Sequence, residues 1–183
     1  MVGRMFDSIT DEDIELLTEY ANDAGAAPDR HDAWVPGGLD AMEPGAALAA
    51  YVSAIDPTRL CGHAQIVALR AQQRLVSHFA AQLYRTMTAV VDTISEVNDS
   101  PHASSEEAAA AEIGCALHLT RRAADTELMY AIGLRRRLPR VWEALAAGRI
   151  DPRRAKTMLT GTDHLSMAHA RDVVTHVLAV APT

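Results

Sequence analysis

The chain has 183 residues, of which 49% are apolar and only 4% aromatic, so its core must be built from alanine and aliphatic side chains, and helices are expected rather than strands. No apolar run approaches the roughly 18 residues needed to cross a bilayer, and the opening MVGRMFDSITDED lacks the apolar core of a signal peptide, which predicts a cytoplasmic protein with no membrane partner. A net charge of −7, with Cys61 and Cys115 far apart and outside any CxxC pair, excludes a disulfide framework, a zinc ribbon and indiscriminate polyanion binding by the whole surface.

In chain order, Thr10 caps a predicted helix over residues 11–24, with acids in its first turn and Ile14, Leu17 and Ala21 at helical spacing. Residues 25–45 carry four glycines and three prolines, which forbids a regular element and leaves Trp34 as the one expected anchor. A first domain-level segment, 1–45, is therefore a short helix plus a loop, and 46–183 is the helical domain proper. Residues 46–55 form a second short helix. Asp56-Pro57 then gives a cap followed by proline at the first helical position, and a long helix runs over about 57–97. Leu60, Ala64, Val67, Ala71, Leu75, Phe79, Leu83, Met87, Val90 and Ile94 form its apolar stripe. A helix of that length calls for a partner helix, and a homodimer through Leu75, Phe79 and Leu83 is one expectation.

Asn98-Asp99-Ser100-Pro101 breaks the rod, and Ser104 with Glu107 makes a capping box for the next helix. Thr120 caps another, with Ala124, Leu128, Ala131 and Ile132 inward. Pro139 starts a helix, Gly148 stops it, Asp151-Pro152 starts one more, and Ser166 opens the last, in which Ala170, Val173, Val174 and Val177 are expected to be buried. The chain stops soon after Val180 and reads as cut before a further domain. The expected fold class is all-α: one long helix packed with a bundle of shorter ones.

Charge is unevenly spread. Residues 1–100 hold 15 acids against 6 arginines, whereas the window 117–160 holds 10 bases against 4 acids, a local +6. Overlapping the start of that window, EIGCALHLTRRAADTEL fits a helix-turn-helix register: Ile113, Leu117, Leu119, Ala124 and Leu128 take core positions, Gly114 allows close contact, and His118 stands at the turn, where positive φ is required. Thr120, Arg121 and Arg122 then face a nucleic acid, and Arg135, Arg136, Arg137, Arg140, Arg149, Arg153, Arg154 and Lys156 are expected to extend the same basic side. Asp125 and Glu127 oppose phosphate. A helical hairpin with arginines on its wet face would look alike, and a chain with one lysine among 17 bases has a general bias toward arginine.

Other chemistry is poorly supported. Cys61 and His63 are too few for a metal; His164, His169 and His176 do not share one helical face; no phosphate loop, GxSxG or HExxH occurs. No catalytic residue, cofactor or metal is expected.

LHLTRRAADTELMYAIGLRRRLPRVWEALAAGRIDPRRAKTML resembles the actinobacterial 13E12-repeat family, also called domain of unknown function 222. The shared pattern is a helix-turn-helix-like stretch, Leu138-Pro139, the segment Ala144 to Gly148 and the pair Arg154-Ala155. The resemblance covers about residues 56–180. It implies an all-helical, DNA-binding or DNA-positioning region of the kind found ahead of an HNH endonuclease domain, with duplex DNA as partner. The HNH core itself is missing from these residues, since Asp163-His164 is followed by none of its later parts. The competing expectation is a helical interaction or dimerisation module whose arginines only keep the surface wet.

Overall fold

The computed structural model describes residues 38–97 and 104–180. The helix predicted over 11–24, the anchor Trp34 and the break at Asn98 to Pro101 lie outside them. Seven α-helices and no strand are present among the described residues: α1 (Ala46–Ser53), α2 (Gly62–Val97), α3 (Ser105–Leu117), α4 (Arg121–Ile132), α5 (Pro139–Ala146), α6 (Pro152–Gly161) and α7 (Met167–Val180). The all-α expectation holds. The chain divides after Leu75 into two compact units, each with its own core.

In the first unit, Leu39, Leu48, Val52 and Leu60 bury against Ala64, Ala68, Ala71 and Leu75 of α2. Leu39, only 2% exposed, anchors the end of the glycine-rich stretch, with Met42 packed beside it. The Arg74 guanidinium ties that stretch down, donating to the carbonyls of Asp40 (2.5 Å), Leu39 (3.3 Å) and Met42. The long helix starts later than predicted. The Asp56 carboxylate accepts from the backbone N–H (2.9 Å) and hydroxyl (2.7 Å) of Thr58, which closes only a 3-10 turn, Pro57–Arg59, before Leu60 turns extended at φ −82°.

In the second unit, α2 buries Ser77, Ala81, Tyr84, Met87, Thr88 and Val91, while Phe79 and Leu83 stay 53% and 43% exposed. That corrects the predicted stripe at these two positions; Leu60, Ala64, Ala71, Leu75 and Met87 are buried as expected, and Val67, Val90 and Ile94 pack against the cores. Small side chains let α5 come close to the α2 backbone: Trp142 Nε1 donates to the Ala81 carbonyl at 3.2 Å, and His78 Nδ1 lies 2.7 Å from the Ala146 carbonyl. The core continues through Leu128, Leu134, Leu138, Val141, Leu145 and Leu159 to Ala170 and Val174. Val173 and Val177, expected inside, are exposed, since α7 packs along the i, i+4 row Ala170, Val174 and Leu178. Among the described residues no helix is long and apolar enough to cross a membrane.

Candidate nucleic-acid interface

The hairpin of α3 and α4 is built by its turn. Ser104 Oγ accepts from the Glu107 N–H at 3.2 Å and opens α3. At the other end His118 takes φ 54°, ψ 37°, the left-handed conformation that ends a helix, and the Leu119 N–H reaches back to the Gly114 carbonyl at 2.9 Å. Thr120 is extended, and its Oγ1 accepts from the Ala123 N–H at 3.3 Å, which starts α4 three residues after α3 stops. The helices approach most closely where a Cβ on Gly114 would lie 3.4 Å from Ala124 Cβ. Leu117, placed in the core by sequence, is 41% exposed because it lies beyond that crossing. Leu119 is half-buried.

Arg121 and Arg122 occupy the first turn of α4, exposed and without a partner among the described residues. Four N–H groups at a helix start leave a partial positive charge there, so two guanidinium groups beside it reinforce one another toward an anion. Asp125, one turn on, is also exposed.

Most of the other predicted contacts have internal work. Arg135 lies over the Trp142 ring, 4.7 Å from its centroid. Arg136 pairs with Asp92 at 3.1 Å and with Glu106 at 3.9 Å. Arg137 donates to the carbonyls of Thr162 (2.6 Å) and Leu165 (2.7 Å), which fixes the turn between α6 and α7. Arg140 reaches Thr175 Oγ1 at 3.2 Å, and Arg154 pairs with its own cap, Asp151, at 3.4 Å. Lys156 Nζ is 2.5 Å from Glu127 Oε1 and stands over the Tyr130 ring at 4.6 Å. Arg149 and Arg153 remain exposed without a partner among the described residues. Arg153 also lines a recess of about 330 Å³ with Tyr130, Pro152, Lys156, Thr157 and Thr160.

Glu127 has the densest surroundings. Its second oxygen accepts from the Tyr84 hydroxyl at 3.2 Å, so one carboxylate links α2, α4 and α6. Burial, then the neighbouring Glu127 charge and the hydrogen bond to it, raise the Tyr84 pKa well above its ordinary value and hold the phenol protonated. Half-buried and bound to Lys156, Glu127 opposes phosphate far less than the sequence suggests. Among the described residues no group of three or more His, Cys, Asp or Glu gathers as a metal site would require.

Residues 64–181, more than half of the sequence, match the family described as a domain of unknown function, DUF222. The chain belongs to that family. No curated protein and no solved structure matches it. The matched span of this DUF222 chain includes α3 through α7 and nearly all of α2, and so contains every candidate contact from Arg121 to Lys156.

Sequence reading missed the residues that occupy those bases. Asp92 is 44 positions from Arg136, and Thr162 and Leu165 are 25 and 28 from Arg137. Arg171, not predicted to act at all, donates from Nε to the Arg137 carbonyl at 3.0 Å and from Nη2 to the Arg136 carbonyl at 3.1 Å. The only local sign was Leu138-Pro139: a proline with no N–H to offer leaves carbonyls of the preceding turn open. The five residues Gly133–Arg137 form a π-helical turn that closes with Leu138 N–H on the Gly133 carbonyl at 3.1 Å.

Proposed function

We propose that this DUF222 domain is a DNA-binding or DNA-positioning module that meets the duplex with the first turn of α4. The observation that carries the reading is the pair Arg121 and Arg122: exposed, unengaged, and presented at the start of the second helix of a tightly closed hairpin. Arg149 and Arg153 are auxiliary contacts to phosphate. Arg135, Arg136, Arg137, Arg140, Arg154 and Lys156 act indirectly, by holding the helices that present the first four. As the 13E12-repeat resemblance implies, the module serves an HNH-type nuclease in the cytoplasm, bringing DNA to an active site located elsewhere.

The test is duplex binding by fluorescence anisotropy. Arg121→Ala with Arg122→Ala should weaken binding about tenfold or more, with helix content unchanged, since a phosphate or base contact by arginine contributes on the order of 1–3 kcal/mol. Arg136→Ala, which breaks only the pairs with Asp92 and Glu106, should have a much smaller effect. Equal affinity in the double variant and the parent would remove the proposal.

A further inference from the structure

We propose that the recess between α4 and α6 is a seat for a backbone phosphate of DNA, reached from Arg122 along one side of α4. The inference rests on the reading of α4 as the helix that meets the duplex, and it adds the side along which the strand continues. Two rows of residues run down α4 from its paired arginines at four-residue spacing, and they lead to opposite surroundings. Arg122, Thr126 and Tyr130 form one row, and the Thr126 hydroxyl donates to the Arg122 carbonyl at 2.8 Å. At ~1.5 Å per residue this row covers about 12 Å. It ends at the recess of about 330 Å³ that Tyr130 lines with Arg153 and Lys156. Arg121, Asp125 and Met129 form the other row. That one ends at a recess of about 400 Å³ between α3 and α4, where Asp125 and Met129 join Glu106 and Glu107.

Charge separates the two sides. The first recess is lined by two cations and no carboxylate. Arg153, in the first turn of α6, is exposed and without a partner among the described residues, and the helix start adds a partial positive charge. Asp151, the nearest acid in sequence, is bound to the Arg154 N–H at 2.9 Å and to its guanidinium at 3.4 Å. Lys156 gives one donor to Glu127, whose other oxygen takes the Tyr84 hydroxyl, and an ammonium has three donors to give. With Glu127 counted, the recess holds one net positive charge, which matches the single negative charge of a phosphodiester. The second recess has three carboxylates and no base in its lining. Arg136 reaches only Glu106 among these, at 3.9 Å. A cleft lined by one sign of charge gathers the opposite ion and repels its own. The strand that leaves Arg122 therefore continues over Arg153 and not over Asp125.

Duplex binding by the full chain, measured by anisotropy at several salt concentrations, tests this. Arg153→Ala should make the slope of log affinity against log salt shallower by about 0.9, and Arg153→Lys should keep most of the parent slope. Thr157→Glu, at an exposed position, puts a carboxylate into the recess and should weaken binding about tenfold or more. Met129→Glu adds the same charge on the other side, about 12 Å along α4 from Arg121 and beyond a Debye length of roughly 8 Å. It should change affinity less than about twofold, with helical circular dichroism retained in every variant. A slope indifferent to Arg153→Ala, or equal losses from Thr157→Glu and Met129→Glu, would overturn the proposal. If Arg121→Ala with Arg122→Ala weakens binding while Arg153→Ala and Thr157→Glu do not, the recess alone is lost. If that double variant binds like the parent, the wider reading falls with it.

Discussion

At Tyr84 a single proton reports on the site's scaffold. The phenol is buried on α2 and donates to Glu127, which in turn holds Lys156. Its pKa is raised from 10.0, so the folded chain keeps the proton that the unfolded chain gives up. The contribution to stability is therefore complete below pH 10 and declines as pH rises through and beyond 10. Denaturant titrations should show a steeper alkaline loss of stability in the parent than in Tyr84→Phe; parallel curves would mean that the phenol titrates alike in both states. His118 illustrates what a single residue's chemistry discloses in advance. Its place between Leu117 and Leu119 at the end of a helical run marked a left-handed turn, and the φ of 54° follows from that local requirement.

Among the elements, starts and stops were legible and faces were less so. Ser104, Thr120 and Asp151 cap α3, α4 and α6 with their own side chains, as spacing alone indicated, because a cap is made within three residues. Beyond Leu75 the spacing of α2 placed Met87, Val90 and Ile94 correctly against the core but misplaced Phe79 and Leu83. Hydropathy favours Phe79 and Leu83, but packing against Trp142 and Ala146 favours small Ser77 and Ala81, whose backbone α5 must approach. The π-helical turn was equally hidden, since it is set by what lies across from Gly133. A Cβ there would sit 2.6 Å from Leu159 Cδ2. Leu159 is only 7% exposed and has little room to withdraw. Gly133→Ala should therefore destabilise the fold by about 1–2 kcal/mol despite the better helix propensity of alanine. In a Leu159→Ala background the same change should cost much less. A Gly133→Ala chain as stable as the parent in urea would show that the π-helical turn does not depend on this close approach.

For the whole molecule, charge distribution was the most informative feature of the sequence and also the most easily overread. The basic window of +6 exists, but its residues serve two purposes that composition does not distinguish. Arg137 and Arg171 satisfy backbone carbonyls around the π-helical turn, and Arg136 and Lys156 neutralise acids from other helices. Those pairings join residues 25 to 44 positions apart, a range over which a single sequence carries no pairing signal. Among the described residues of that window, only the bases at the start of α4, with Arg149 and Arg153, are left to act outward. The observed binding slope should therefore reflect few phosphate contacts rather than ten. The most direct measurement is the slope of log affinity for duplex DNA against log salt concentration, compared between the parent and Arg121→Ala with Arg122→Ala. Each lost phosphate contact changes that slope by about 0.9, so the double variant should be shallower by roughly 2. An identical slope in the two chains would contradict the account.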